Sequence, residues 1–352
     1  MNNNSPDTIV GILIPTYNRK YLLDICVNSA LSQTYGNIKI IIIDNGVRDG
    51  SIIRLYENKD TRISYIFNNN NIGLIGSINK GIGLMPKEVT WCTIVSDDDV
   101  LHADYVKESL IAVKERHAKS IVDCHRIFIN MDGKVLSKAI PAAPEISATQ
   151  YLKKRLEASR QTYLTGILFN RDAFKKIGGY PLFTTGIASD DAFIFSLSIK
   201  DRLVHNRNAI AYIRIHEGAE SVAIQNILSI LNTISEFKSY CKDKAAEIAF
   251  LSQKDADTFA KVLEKYVTRL NSGCWLKKAH NILFSRQPNK RDHLMDLCNI
   301  ARKKDFDFSC RVRMNRFLFD KTGLFPEASL LYRMMWQCVE GDMKPFRNRR
   351  FL

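Results

Sequence analysis

Short apolar runs alternate with helical periodicity along the first hundred residues of the chain. Each run is rich in β-branched residues, has the length of a buried strand and stops at a polar cluster. The strands predicted in this way cover 8–15, 38–43, 63–67 and 91–96. Apolar positions three and four residues apart predict helices between them, over 21–33, 51–57 and 73–84. This alternation predicts a doubly wound, mostly parallel α/β sheet flanked by helices.

The second half of the chain changes character at about residue 221. Before that point the pattern predicts a hairpin over 121–130 and 134–140, further strands over 165–170 and 209–216, and helices over 105–116, 171–177 and 191–200. After it, helical periodicity dominates, with helices predicted over 224–240, 245–251 and 257–270. We therefore expect an α/β domain over 1–220 and a helical region over 221–352.

Composition narrows the class of protein. The 352 residues are 45% hydrophobic and 25% charged, which is ordinary for a globular protein with a sizeable core. No apolar run reaches the roughly 18 residues of a membrane span, and the polar N-terminus lacks the pattern of a signal peptide, so we expect a cytoplasmic protein. The eight cysteines are scattered and form no CxxC pair, which favours neither a zinc site nor a disulfide framework.

Positive charge is concentrated at the C-terminal end. Residues 277–352 carry 17 Lys and Arg against 8 Asp and Glu, within a chain of net charge +14. This excess, interleaved with aromatic residues, suggests an anionic partner such as a phospholipid surface, a lipid-linked diphosphate or a nucleic acid. Peripheral contact with a membrane is one expectation, and amphipathic helices with a solvated basic face explain the same pattern equally well.

Polar clusters follow four of the predicted strands, where ligands bind in open α/β sheets. The clusters are Thr16–Asn18, Asp44–Asn45, Asn68–Asn71 and Asp97–Asp99. In the last cluster three adjacent carboxylates follow a buried strand, which suggests a hard divalent cation, although a solvated acidic turn has the same sequence. Neither GxGxxG nor GxxxxGK[ST] is present, so the usual dinucleotide site and the P-loop are disfavoured.

In their order along the chain, these motifs resemble those of glycosyltransferase family 2, the inverting, metal-dependent enzymes of GT-A fold. The resemblance covers residues 9 to about 216 and none of the chain after about 220. The segments that carry it are Ile12–Arg19, Leu31–Tyr35, Ile41–Gly46, Asn71–Gly73, Asn79–Gly81, Ser96–Asp99, Ile167–Phe174, Ile177–Tyr180 and Asp190–Asp191.

The resemblance implies a site for a nucleoside diphosphate sugar, most simply a UDP-sugar. In it Tyr17 stacks on the base, Asp97 contacts the ribose, and Asp44 and Asn45 face the base and ribose. The nucleotide-sugar-binding residues implied as a set are Pro15, Thr16, Tyr17, Asn18, Asp44, Asn45, Asn71, Gly73 and Asp97.

The resemblance also implies a metal ion and a general base. Asp98 takes the place of the ligand for Mn²⁺ or Mg²⁺, Asp99 adjoins the metal or the donor sugar, and His216 is a candidate ligand of the metal or the diphosphate. Asp191 takes the place of the base that removes the acceptor's hydroxyl proton. Asp190 would tune its pKa or hold the acceptor, although a pair of acidic residues is also common at a helix N-terminus.

The chain departs from the family pattern at three positions. Ser96 stands where the family usually has an acidic residue, Asn45 where relatives often have a second Asp, and Asp190 where they usually have Glu. The change at Asn45 leaves uridine open against thymidine or guanosine donors, and the change at Ser96 can remove one acidic ligand.

The predicted function is therefore transfer of a sugar to a hydroxyl of a glycan or lipid-linked glycan, in surface polysaccharide synthesis at the inner face of the plasma membrane. Two alternatives stay open: a sugar nucleotidyltransferase, and a scaffold that binds glycans or sugar nucleotides without catalysis. Nucleic acid is not expected as a partner, because no groove-reading or base-stacking motif is present. The oligomeric state is left open.

Overall fold

The computed structural model describes residues 8–46, 56, 60–216, 226–247 and 252–284, and for 272 and 275–284 it describes the backbone alone. Apart from Tyr56, the helix predicted over 51–57 lies outside these residues. So do most of the helix predicted over 245–251 and most of the basic C-terminal stretch.

Ten strands and eight helices lie within the described part of the chain. The strands are β1 (Ile9–Thr16), β2 (Ile38–Asp44), β3 (Ile63–Phe67), β4 (Val89–Ile94), β5 (Val100–Leu101), β6 (Ile121–Ile129), β7 (Val135–Lys138), β8 (Glu145–Ile146), β9 (Ile167–Asn170) and β10 (Leu203–Arg214). The helices are α1 (Lys20–Leu31), α2 (Gly73–Leu84), α3 (Tyr105–Glu115), α4 (Ala148–Leu156), α5 (Arg171–Lys176), α6 (Ser189–Leu197), α7 (Ile227–Ala245) and α8 (Gln253–Phe284).

All ten strands form one sheet in the order β3-β2-β1-β4-β9-β6-β10-β5, with β7 added to β6 and β8 to β10. The first four strands of this order are parallel to one another. Strand β9 lies between β4 and β6 and is antiparallel to both, and β6 and β10 are again parallel. The predicted α/β class with flanking helices is confirmed, and the second half of the sheet is mixed rather than parallel.

Alternation along β1 divides the core between the two faces of the sheet. Val10, Ile12 and Ile14 are fully buried in a cluster that includes the apolar stripes of α1 and α3. Leu13 points to the other face, where α2 approaches so closely that a Cβ at Gly81 would overlap its side chain. Helices on both faces therefore cover a central strand that is apolar throughout.

The chain separates into two compact units. The first comprises residues 1–223 and 229–266, and the second comprises 224–228 and 267–352. The helical C-terminal region is confirmed by α7 and α8, while the predicted domain boundary at 220 stays a prediction. None of the described helices is long and apolar enough to cross a membrane.

Candidate active site

The loops that follow the parallel strands lie together at one edge of the sheet. β6 and β10 run in the same direction as β1, β2 and β4, so the residues after all five strands are neighbours. Strand β9 runs the opposite way, so the residues that precede its start lie at this edge as well. The predicted polar clusters, the end of β10 and the segment before β9 therefore share one edge.

Asp97 is the hydrogen-bonding centre of the loop after β4. Its carboxylate, 5% exposed, accepts hydrogen bonds from the Thr16 hydroxyl at 2.7 Å and, at 3.4 Å, from the backbone N–H of Tyr17. Arg19 Nη1 lies 3.1 Å from Asp97 Oδ1 and 2.8 Å from Asp98 Oδ2. Burial raises the pKa of Asp97, and the hydrogen bond from Thr16 opposes that rise. One guanidinium thus joins the first strand's loop to two adjacent carboxylates.

The end of β10 holds the other side of the same acidic loop. The Arg214 backbone N–H donates to Asp99 Oδ1 at 2.8 Å, and its Nε donates to the Asp98 carbonyl at 2.8 Å. His216 Nε2 lies 3.0 Å from Asp98 Oδ2, so the structure brings these two predicted metal ligands together. Burial, and next the charge of Asp98, raise the pKa of Asp99 to about 7. The loop is a concentration of buried negative charge.

Asp98 and His216 fit a divalent cation whose remaining ligands come from a bound substrate. Asp98 and His216 can direct an oxygen and a nitrogen toward one ion, and Mg²⁺ is usually held by one or two carboxylates together with substrate phosphates. Within the described ranges no group of three or more His, Cys, Asp and Glu side chains is arranged to hold a metal. An ion here would therefore need oxygen ligands from a bound diphosphate.

The loop after β2 is held by its own side chains. Asp44 Oδ2 accepts from the Tyr65 hydroxyl at 2.5 Å. Asn45, 7% exposed, donates to Ser77 Oγ at 2.8 Å and accepts from Asn68 Nδ2 at 2.8 Å. In this structure that amide fastens the loops after β2 and β3 to α2, and the expectation that Asn45 faces the base and ribose stays a prediction.

An exposed rim lies next to these buried groups. The side chain of Tyr17, just after buried Pro15, is 54% exposed, and Asn18 is exposed with a left-handed φ of 56°. Asn71 and Gly73 are also exposed, and the Gly73 N–H donates to Asn71 Oδ1 at 2.8 Å. Gly73 has φ of 72°, a conformation that favours glycine. A planar base could contact the Tyr17 ring at this rim.

Asp191 occupies a different environment from the one its predicted role requires. Its Oδ1 accepts from Tyr151 Oη at 2.6 Å, Arg155 Nε at 2.7 Å and Thr162 Oγ1 at 3.0 Å. Its Oδ2 accepts from Tyr266 Oη at 2.6 Å and from Arg155 Nη2 at 3.3 Å. Burial alone would raise the pKa of Asp191, but Arg155 and the tyrosine hydroxyls outweigh it and lower that pKa. We call Tyr151, Arg155, Thr162 and Tyr266 the Asp191 clamp.

Asp190 differs sharply from its neighbour. Asp190 is partly exposed. Among the described residues, one hydrogen bond reaches its carboxylate, and the Tyr180 hydroxyl donates it. Burial, opposed by that hydrogen bond and reinforced by the charge of Asp191, raises the pKa of Asp190. A partly exposed carboxylate with a raised pKa has the properties of a general base. The two neighbouring carboxylates therefore differ in exposure and in the direction of their pKa shifts.

Asp190 and Asp191 are connected to the acidic loop through residues 162–165 and to α2 through Tyr180. Thr162 donates to Asp191, and three residues later Thr165 Oγ1 accepts from the Ser96 backbone N–H at 3.0 Å. On α2, Asn79 Oδ1 accepts from the Tyr180 backbone N–H at 2.8 Å, which places the tyrosine that binds Asp190. The segment from Thr162 to Thr165 thus hydrogen-bonds Asp191 at one end and the acidic loop at the other.

Several site residues escaped prediction. Four residues contact the predicted carboxylates although none of them was itself predicted as a site residue. They are Arg19, Tyr151, Arg155 and Tyr266. Helix α4, which carries two of them, has a readable signal, because Ser147 and Gln150 form a capping box. Tyr266 has no local signal, since it lies 75 residues from Asp191 in the chain.

Solved structures share this arrangement of strands and helices. The Staphylococcus aureus protein TarS (residues 1–349, complex with UDP) superposes with a TM-score of 0.59 over 98% of this chain and 93% of its own, at 13% identity. The mannosyltransferase PcManGT of Pyrobaculum calidifontis, in complex with GDP-Man and Mn²⁺, gives 0.50 over 97% and 88%, at 12% identity. The fold is therefore that of the GT-A glycosyltransferases.

Sequence comparison gives a family similarity for part of the chain. Residues 11–178 match the model "Glycosyl transferase family 2". Two Streptococcus pneumoniae serotype 4 proteins match over 36% of this chain: glycosyltransferase GlyG, 30% identical over 128 residues, and glycosyltransferase GlyA, 31% identical over 129. The matched stretches span 42% and 18% of those relatives' lengths. Residues 11–178 are therefore similar to glycosyltransferase family 2.

Proposed function

We propose that this chain is an inverting glycosyltransferase, which moves a sugar from a nucleoside diphosphate to a hydroxyl of a glycan or lipid-linked glycan in surface polysaccharide synthesis. The observation that carries the proposal is the segment from Thr162 to Thr165, which hydrogen-bonds Asp191 at one end and the loop that carries Asp97–Asp99 at the other. Direct displacement needs charge stabilisation on the leaving-group side and a base on the acceptor side. The carboxylates of that loop and of Asp190–Asp191 can supply these two functions.

The donor is proposed to be a UDP-sugar. TarS structures in complex with UDP and with UDP-GlcNAc are among the structures similar to this one, while PcManGT was solved with GDP-Man. The exposed Tyr17 ring would stack on the base, and the buried carboxylate of Asp97 would orient the ribose. Arg19 lies where its guanidinium can approach a diphosphate, with Asp97 and Asp98 holding it in place.

Asp98 and His216 would hold Mn²⁺ or Mg²⁺ together with diphosphate oxygens. When bound, such an ion neutralises the negative charge that develops on the departing diphosphate. The Mn²⁺ in the PcManGT complex supports this part of the proposal. Asp99, held by the Arg214 backbone N–H, would fix the loop that carries Asp98.

On the acceptor side, Asp190 would remove the hydroxyl proton as the acceptor oxygen attacks the anomeric carbon. Its partial exposure and raised pKa suit that step. Asp191 would stay ionised inside its clamp, because Arg155 and three hydroxyl donors occupy both of its oxygens. The base role expected for Asp191 from the sequence is thereby proposed for Asp190.

The basic stretch 277–352 supports a location at the cytoplasmic face of the membrane. Its 17 Lys and Arg residues would be attracted to anionic lipid headgroups and to a lipid-linked diphosphate acceptor. Most of this stretch lies outside the described residues, and the predicted boundary between an α/β domain over 1–220 and a helical region over 221–352 belongs to the same proposal.

Release of nucleoside diphosphate from a panel of UDP-, GDP- and dTDP-sugars, with Mn²⁺ or EDTA, tests the proposal. We expect metal-dependent release from one donor and, in Asp98→Ala, a loss of about 100-fold. Asp172→Ala is the matched control, because that carboxylate is 78% exposed on α5 and pairs with Lys175 on the same helix. Calorimetry on the same samples reads donor binding separately. Failure of every donor to bind with metal present would reject the transferase and favour the scaffold.

A further inference from the structure

Tyr266 reaches Asp191 from a part of the chain outside the family match. It lies on α8, beyond residues 11–178, and its hydroxyl donates to Asp191 Oδ2 at 2.6 Å. The side chain is 2% exposed. Both residues belong to the same compact unit, which includes 229–266. The contact is therefore an internal feature of the unit that contains the site.

Aromatic packing fixes the position of that hydroxyl. The Tyr266 ring meets Phe237 of α7 edge to face, with centroids 5.9 Å apart, and Phe237 is fully buried. On the same helix as Tyr266, Phe259 stacks on Phe195 of α6, with centroids 5.7 Å apart. Buried aromatic pairs of this kind have few alternative rotamers. Helix α8 is thereby packed against the helix that carries Asp190 and Asp191.

The start of α6 needs external support. Ala188, which precedes the first turn, has φ of 59°, a left-handed conformation that is unfavourable for a residue with a Cβ, and no side chain caps the helix. Such a conformation persists where its surroundings hold it. Three elements hold it here through Asp191: α4 with Tyr151 and Arg155, the segment with Thr162, and α8 with Tyr266.

We propose that Tyr266 is a positioning residue for the transfer reaction: by completing the Asp191 clamp, it fixes the first turn of α6 and so aims the Asp190 carboxylate at the acceptor hydroxyl. This inference rests on the proposed function and on Asp190 as the base. It extends the functional unit into a helical segment that the family match does not include. Tyr266 itself need not touch substrate.

The charges around Asp190 determine the sign of the expected pH effect. The groups that face it are Tyr180, Asp191, Arg155 and Arg126. Loss of the Tyr266 hydroxyl removes a donor from Asp191, so its negative charge is less well compensated. That charge then opposes ionisation of Asp190 more strongly. The acidic limb of the pH–rate profile should move to higher pH.

Tyr266→Phe tests the inference against Tyr240→Phe as the matched control. Tyr240 also bonds to α6, accepting a hydrogen bond from Ser196 Oγ at 2.9 Å, and each variant removes one hydroxyl from a helix packed on α6. Initial rates of nucleoside diphosphate release, with water as acceptor and the best donor of the panel, give kcat and KM. Thermal melts monitor folding, and rates over pH 4–9 give the acidic limb.

For Tyr266→Phe we expect kcat to fall on the order of tenfold, with the donor KM within about twofold and the acidic limb displaced upward. Tyr240→Phe should retain kcat within about twofold and leave the limb in place, at a comparable melting temperature. Equal kcat and identical pH profiles in the two variants would overturn the positioning role. Absence of turnover by the wild type would reject the proposed function and this inference with it, whereas wild-type turnover with equal variants would reject the role of Tyr266 alone, so the two failures are distinguishable.

Discussion

Asp190 and Asp191 lie side by side in the first turn of α6, yet neutralising each of them should have a different consequence. Asp190→Asn and Asp191→Asn are nearly isosteric, so both preserve the packing of the helix. They differ in how many donors face the carboxylate: one for Asp190, and for Asp191 the five hydrogen bonds of its clamp. We therefore expect the first to affect catalysis and the second to affect folding.

Asp191→Asn should lower the free energy of unfolding, because Arg155 would then be left without its carboxylate partner. The side chains of Asp191 and Arg155 are 6% and 23% exposed. Breaking a buried ion pair costs about 3–5 kcal/mol, and the partial exposure of Arg155 places this case near the lower end, about 3 kcal/mol. The amide would also direct N–H donors at hydroxyl and guanidinium donors. For a unit of this size the melting temperature should fall by about 6–12 °C.

For Asp190→Asn the free energy of unfolding should stay constant or rise slightly. Because burial raises the pKa of Asp190 in the folded protein, the folded state binds its proton more tightly than the unfolded state does. At neutral pH the ionised side chain therefore costs stability, and the amide removes that cost. Loss of the base should lower kcat by about 10²–10⁴-fold.

Two assays on the same preparations separate these outcomes: thermal melts for stability, and initial rates of nucleoside diphosphate release below the melting range of both variants. Asp191→Asn should lose less kcat than Asp190→Asn, because it perturbs the position of the base and leaves the base in place. An Asp191→Asn variant that melts like the wild type and is inactive, beside an active Asp190→Asn, would refute the argument from donor occupancy and restore Asp191 as the base.

Two further predictions concern packing and pH. Gly81→Ala should destabilise the protein by about 1–3 kcal/mol in chemical denaturation, because the new methyl group would overlap Leu13. Gly83→Ala on the same helix meets no atom within 4 Å and should stabilise by up to about 1 kcal/mol, and equal effects of the two would contradict the close approach. Because the pKa of Asp190 is raised, kcat/KM should fall on acidification with a midpoint above about pH 4, which is the ordinary pKa of an aspartate. The residual activity of Asp190→Asn should lack this acidic limb.

The first half of the fold was readable from the sequence because its signals are local. Apolar runs that stop at polar clusters predict buried parallel strands, and the run over 8–15 became β1 with almost every residue buried. Parallel topology then places the residues after each strand at one edge, so Thr16, Asp44 and Asp97 were expected together before any contact was known. The site was predictable to the extent that it is a consequence of strand order.

The position and direction of β9 could not be predicted from local sequence signals. The run over 165–170 predicts a strand, but nothing in its alternation says that β9 enters between β4 and β6 and reverses direction. That choice depends on which edges are free once the parallel strands have formed. It also places Thr162 and Thr165, which precede β9, where the first hydrogen-bonds Asp191 and the second hydrogen-bonds the backbone of Ser96.

The chain's own pattern determined the α/β class, the edge at which ligands bind and the acidic residues gathered there, since periodicity and strand order are local or topological properties. Only the tertiary structure decided what surrounds each carboxylate. The order of motifs separates Asp190 from Asp191 by position alone, and their surroundings differ because Arg155 and Tyr266 reach one of them from distant parts of the chain. The ionisation of a buried group depends on donors and charges within a few ångströms, and sequence distance carries no information about those neighbours.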